Sequence, residues 1–256
     1  MFRRLWISML LILNFCCGIG QAQSVDELLA KHLQAVGGAE KIAALQSLRM
    51  TGKITMIPLN DFRKAAGLGQ EAPVTLMVKR PNQVRMEIDR QGKKVVQAYD
   101  GKEKAWGLQP DATEPDMLFD DEGGMGEMMA LLLEDLAEPE GPLVNAKDKW
   151  KSVDLEGKEG SAADAAFRLK LSPKEGFVRS ALLGGKTFLL QQTLRPGSDF
   201  QLETSYGDYQ PFNGVQLART IESRIDGELF VRIRIDSVEV PNSLEDAVFQ
   251  APAKKE

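Results

Sequence analysis

Alternation of apolar and polar residues with a period of two runs through most of this chain, and it leaves few folds open. Leu48, Met50, Ile54 and Met56 alternate with Arg49, Lys53 and Thr55, the pattern of a strand with one buried face. Val74-Leu76-Val78 and Val84-Met86-Ile88 repeat it across the Arg80-Pro81-Asn82 joint. Gln91-Gly92 and Asp100-Gly101 read as hairpin turns flanking Val95 to Tyr99, and Ala105 to Leu108 closes a first meander. Pro58 to Pro73 reads as a loop, with a helical turn around Phe62 to Ala66. In the second half, strands are expected at Trp150 to Leu155, Ala165 to Leu171, Phe177 to Leu183, Thr187 to Leu194 and Phe200 to Tyr206. Two longer ones follow, Val215 to Ile225 and Leu229 to Val240. Asn213-Gly214 and Asp226-Gly227, at their turns, are strong short-range hairpin signals. About a dozen alternating strands imply an antiparallel sheet, one face dry and one wet. The fold class that follows is mainly β: an unclosed antiparallel β-barrel, or strongly curved sheet, with a helical lid on its concave face.

One stretch breaks the rhythm. In Gly124 to Ala137, GMGEMMALLLEDLA, the apolar residues Met125, Met128, Met129, Leu132, Leu133 and Leu136 fall on one helical face. Asp120, Asp121 and Glu122 precede it, where negative charge favours a helix start, and Pro139, Gly141 and Pro142 end it. Such a helix, inserted at about 116–137 between strands, must lie against the sheet. Two readings stay open: a core helix plugging the β-structure, or a movable lid over an apolar cavity. Four of the eight methionines that follow residue 22 (Met117, Met125, Met128 and Met129) lie in this insert, and methionine suits a surface that repacks around variable apolar groups such as acyl chains.

The start of the chain reads as a secretory signal, residues 1–22. Arg3 and Arg4 are followed by the mostly apolar Leu5 to Gly20, and Gly20-Gln21-Ala22 supplies small residues for cleavage after Ala22. Cys16 and Cys17 lie inside it, and Leu13-Asn14-Phe15 lacks the small residue expected before a lipid-modified cysteine. The remaining 234 of 256 residues, 23–256, then form a single domain with no disulfide or thiol chemistry. Ser24-Val25-Asp26-Glu27 is a capping box opening a helix with Leu28, Leu29, Leu33 and Val36, stopped at Gly37-Gly38. A short helix, Ala39 to Leu45, follows. His32, the single histidine, reads as a surface or partly packed residue of the first helix. Taking Arg3 and Arg4 from the 32 basic residues leaves 30 against 37 acids, a formal charge of −7. That balance argues against nucleic acid and against electrostatic docking on anionic lipid.

Little catalytic chemistry is on offer. One histidine and no cysteine after residue 22 exclude a Cys–His site, and G-x-S-x-G, P-loop and H-E-x-x-H motifs are absent. Gly123-Gly124-Met125-Gly126 follows no convincing strand, so a dinucleotide reading fails. Asp120-Asp121-Glu122 lacks the alternating spacing of calcium ligands. No catalytic residue, metal or cofactor is expected, and binding fits better than catalysis. Arg219 shares the apolar phase of Val215, Leu217, Ile221 and Ile225, so its guanidinium should point to the core or cavity. There it requires a carboxylate partner, a ligand oxygen or a route to the rim. Arg232 and Arg234 alternate with Ile233 and Ile235 and read as solvent-facing.

Three stretches together resemble the outer-membrane lipoprotein-sorting proteins of the LolA-like group. They are VDELLAKHLQAVGGAEKIAALQSLRMTGKI at the start, VDLEGKEGSAADAAFRLKLSPKEG in the middle, and SYGDYQPFNGVQLARTIESRIDGELFVRIRIDSVEVPNSLEDAVFQAP at the end. The resemblance implies an unclosed barrel with a helical lid and an apolar cavity. It also implies a periplasmic, non-enzymatic carrier of lipoprotein acyl chains or other lipids, with membrane-associated donor and acceptor proteins as partners. The ligand-facing set would then be Met125, Met128, Met129, Leu132, Leu133, Leu136 and Arg219. An alternative on the same fold is a structural or stress-sensing envelope domain that binds a protein partner.

Overall fold

The computed structural model describes residues 24–57, 69, 71–102, 105–120, 124–161 and 165–252. The strands in the first half are β1 Ser47–Met56, β2 Glu71–Lys79, β3 Gln83–Arg90, β4 Lys93–Tyr99, β5 Ala105–Leu108 and β6 Asp116–Met117. In the second half they are β7 Ser152–Glu159, β8 Ala166–Ser172, β9 Arg179–Gly184, β10 Leu190–Pro196, β11 Gln201–Phe212, β12 Val215–Ile225 and β13 Glu228–Glu239. All thirteen belong to one sheet in the order β6-β5-β4-β3-β2-β1-β13-β12-β11-β10-β9-β8-β7. It is two meanders fused edge to edge where β1 pairs with β13, Met50 opposite Val238 and Ile54 opposite Ile233. The edges β6 and β7 are left unjoined, so the sheet does not close.

The hairpins follow from their turns. Gln91 and Gly92, Asn213 and Gly214, and Asp226 and Gly227 all have positive φ, the left-handed pair that matches the twist of the flanking strands. The Asn213-Gly214 turn also explains why β11 runs to Phe212, six residues beyond the Tyr206 expected from sequence. Gly207, Asp208 and Pro211 are poor strand formers, but a two-residue turn leaves them facing β12, and Phe212 pairs with Val215. The expected strand start at Trp150 moves to Ser152, because Trp150 closes a short helix, Ala146–Lys149, and its indole donates to the Pro142 carbonyl at 2.9 Å. β2 begins at Glu71, so Pro73 belongs to a strand; the helical turn expected at Phe62 to Ala66 and the signal segment lie outside the described residues.

Four α-helices are described: α1 Val25–Val36, α2 Ala39–Ala44, α3 Met125–Leu136 and α4 Ala146–Lys149. The Ser24 hydroxyl accepts from the Glu27 amide at 3.2 Å to open α1, and Gly37 and Gly38, both at positive φ, close it. A Cβ on Gly37 would lie 2.3 Å from the Gly214 carbonyl oxygen, so only glycine lets α1 end against the β11–β12 hairpin. His32 is not at the surface: it is fully buried, and its Nδ1 lies 2.8 Å from the Phe188 carbonyl oxygen, which fixes the proton on Nδ1.

Helix α3 packs against β3, β4 and β5 on one side and β11 on the other. Strands β3 and β11 are five places apart in the sheet, roughly 24 Å at the usual strand spacing, while a helix is only about 10 Å across. The sheet must therefore curl around α3, which makes the α3 side concave. Its lining is one continuous apolar core that includes Val36, Leu76, Met86, Leu133, Leu217 and Ile233. A second cluster joins Leu28 and Trp150 to the inner face of β8 to β10. The run Val95 to Tyr99 is buried throughout because β4 is covered on both faces. Val95 and Tyr99 meet the core, while Val96 and Ala98 lie with Trp106 beneath the C-terminal segment, where the Trp106 indole donates to the Phe249 carbonyl at 2.9 Å.

Candidate functional site

Met129, Leu132, Leu133 and Leu136 of α3 are buried in the concave core, and Met128 is half-buried against it. Met125 departs from the expected face. It is 43% exposed, because it is the first helical residue and a helical side chain leans toward the N-terminus, here past the edge of the packed surface. Ala130 and Leu131 are buried as well, so α3 is enclosed nearly all round. The insert is not wholly helical: β6 and a 3-10 turn, Leu118–Asp120, precede α3. An open cleft of about 630 Å³ lies there, lined by Pro115, Asp116, Met117, Leu118, Asp120 and Gly126.

Buried charge adds to the apolar packing that holds α3 on the sheet. The buried guanidinium of Arg195 on β10 donates through Nη1 to the Leu131 carbonyl and to Asp135 Oδ1, both at 3.1 Å. Its Nη2 donates to Glu134 Oε2 at 2.6 Å. Arg179 of β9 reaches the same Glu134 oxygen at 3.2 Å and stacks 5.5 Å from the Trp150 ring centre. The Thr204 hydroxyl donates to Asp135 Oδ2 at 3.0 Å. Thr193, Thr204 and Ser223 are buried and directly paired across β10, β11 and β12, a polar stripe on the concave face beneath the helix. At the other end of α3, Glu127 accepts from the Ser198 amide at 3.0 Å and from its hydroxyl at 2.6 Å. After the helix, Glu140 pairs with Arg80 and Glu138 with Lys149.

Arg219 takes the position its phase requires. It is 9% exposed, among Leu217, Ile221 and Ile225 of its own strand, and its Nε and Nη1 are buried without a hydrogen-bond partner. The core reading of its direction therefore holds, while the carboxylate partner is absent among the described residues. Arg232 faces outward, pairing with Glu222 at 2.6 Å.

No family model and no curated protein matches this chain. Solved structures do. A LolA superfamily protein from Nitrosomonas europaea superposes with a TM-score of 0.60 at 10% identity, over 90% of this chain and 98% of the other. The fold is LolA-like. A DUF1329 family protein from Desulfovibrio piger gives 0.59 at 14% identity over 88% and 97% of the two chains. A putative outer membrane lipoprotein-sorting protein domain from Vibrio parahaemolyticus gives 0.58 at 11% over 87% and 94%.

In this LolA-like half-barrel burial is the largest influence on the ionisable groups around the α3 fastening. Burial works against the Arg195 charge, but Asp135 and Glu134 more than restore it and raise its pKa. Arg179 goes the other way, lowered by burial and by the like charge of Arg195. Burial raises Glu138, with Lys149 opposing, and lifts Tyr206 well above its ordinary value, Asp135 adding to the effect. Among the described residues, no three His, Cys, Asp or Glu side chains are placed to hold a metal ion. No described helix is long and apolar enough to cross a membrane. Sequence reasoning did not find Arg195, Glu134, Asp135 or Thr204. The available signal was an adjacent acid pair interrupting the apolar run of α3, together with Arg195 sharing the phase of Thr193.

Proposed function

We propose that this chain is a non-enzymatic binder or carrier of acyl chains, those of lipoproteins or of other lipids, working in the periplasm after removal of residues 1–22. In this reading α3 covers the concave face, and Met128, Met129, Leu132, Leu133 and Leu136 are the surface that an acyl chain replaces. The observation that supports it is the way α3 is attached: apolar side chains toward the core, and a polar fastening at Glu134 and Asp135 that does not require those side chains to interlock permanently. Solved neighbours described as LolA superfamily and lipoprotein-sorting proteins support the same reading. Membrane-associated donor and acceptor proteins would load and unload it.

A second reading, an envelope interaction domain with a packed core, is favoured by the near-complete enclosure of Ala130 to Leu133. Native mass spectrometry of the chain from Gln23 onward, purified without detergent and followed by organic extraction, separates the two. A co-purifying lipid or acylated peptide is the expected result. A bare protein mass that takes up no added lipid would overturn the carrier reading in favour of the interaction domain.

A further inference from the structure

The concave face carries two buried arginines with opposite fates. Arg195 directs both terminal nitrogens to two carboxylates and a carbonyl, and only its Nε lacks an acceptor among the described residues. Arg219 has no acceptor for Nε or Nη1 among the described residues, although a buried uncompensated charge is among the costliest things a fold can hold. The neighbouring acids are committed elsewhere. Asp208, across from Arg219 in the β11–β12 register, is exposed, has φ 50, and accepts from the Gln210 side chain at 3.3 Å. Glu222 is held by Arg224 at 2.8 Å and Arg232 at 2.6 Å. Glu134 and Asp135 belong to Arg195.

We propose that Arg219 is the headgroup site of the cavity, and that its ligand is an acyl chain ending in a carboxylate, as a free fatty acid does. This rests on the carrier reading above and narrows it. The apolar residues around Arg219, Leu217 and Ile221 among them, accept the tail, while the guanidinium supplies the positive charge and several N–H donors that a carboxylate matches. The ester and amide carbonyls of a fully acylated lipoprotein terminus would accept a hydrogen bond but leave the guanidinium's charge unbalanced, so this site discriminates against them. The position is distinct from the fastening of α3: Arg219 is four residues from Ser223 along β12, about 13 Å at the usual rise.

The test compares laurate with methyl laurate, the same tail with and without the charge, by calorimetric titration of the purified chain. We expect the wild-type protein to prefer laurate by about tenfold or more, the scale of a charge-assisted hydrogen bond. Arg219→Met should erase the preference while methyl laurate still binds. Equal wild-type affinity for the two would overturn this inference and leave the carrier reading standing. Binding of neither, repeated with palmitate and methyl palmitate so that the tail is long enough to displace α3, would remove both. If Arg219→Met fails to fold by circular dichroism, Arg219→Lys decides with the wild type: it should keep a reduced preference for laurate, and an unchanged preference would show that the guanidinium is not the receptor.

Discussion

Asp135→Ala is the most direct probe of how α3 is held. The Asp135 and Arg195 side chains are 7% and 6% exposed, so solvent screening offers little relief to whichever charge is left behind. Removing one partner of a buried ion pair costs about 3–5 kcal/mol. Glu134 remains 2.6 Å from Arg195 and the Thr204 hydroxyl keeps the Ser223 hydroxyl at 3.3 Å, so the lower end applies, ~3 kcal/mol. In a domain of this size that corresponds to a fall in Tm of roughly 6–12 °C. Differential scanning calorimetry reads the total, and amide hydrogen exchange reads where it falls. If α3 is separable from the sheet, exchange should rise first in the α3 amides while β12 and β13 stay protected. The double variant Arg195→Met/Asp135→Leu removes both charges and should recover part of the loss, since it is the uncompensated charge that costs. A loss below about 1 kcal/mol for Asp135→Ala, the scale of a surface pair, would refute the reasoning that α3 is fastened by buried charge.

Met129→Asp or Leu132→Asp should lower lipid uptake far more than Arg232→Ala, with circular dichroism to check folding; equal effects would sink the assignment of α3 as the cover. His32 has its pKa lowered by burial, so between that value and 6.5 the unfolded chain binds more protons than the folded one. Stability is therefore full above about 6.5 and falls as pH drops through that window; denaturation midpoints for His32→Asn should lose this slope. Gly52→Ala should destabilise by about 1–3 kcal/mol, because a Cβ there would lie 1.9 Å from the Arg234 carbonyl oxygen at the bulge between β1 and β13; an unchanged melting curve would mean the two meanders are not held in this register.

The architecture was legible wherever burial follows one period. β12 matches its expected range, Val215–Ile225, because its odd residues are all buried, apolar except at Arg219 and Ser223, and glycine turns bracket it. The errors share a cause: a long-range partner overrides a local signal. Gly207, Asp208 and Pro211 are strand only because β12 lies beside them. His32 sits on a helix beside Lys31, yet is buried because Phe188, 156 positions away, supplies its acceptor. The site divides the same way. The apolar face of α3 is written in a spacing of three and four residues, and Arg219 in the phase of its strand. The Arg195 cluster joins residues 60 and 61 positions apart, and a single sequence does not pair them. Met125 shows the limit of the helical wheel: periodicity gives the direction of a side chain, while exposure depends on where the sheet ends.

The adhesion of α3 also sets how long an acyl chain must be to replace it. Met129, Leu132, Leu133 and Leu136 are buried, and each such side chain is worth about 1.5–3 kcal/mol relative to exposure. Swinging the four of them out would therefore cost about 6–12 kcal/mol, with the charged fastening adding to it. A ligand offsets this at about 0.8 kcal/mol per buried CH₂, so roughly 8–15 methylenes are needed before opening breaks even. Uptake should then rise steeply between octanoyl and palmitoyl chains, not evenly with each carbon, and Asp135→Ala should shift the threshold toward shorter chains. Titration with a series of even-numbered fatty acids, followed by native mass spectrometry, measures it directly. A uniform increment per carbon from the shortest chain upward would mean that α3 does not move, and that ligand enters a space already open beside it.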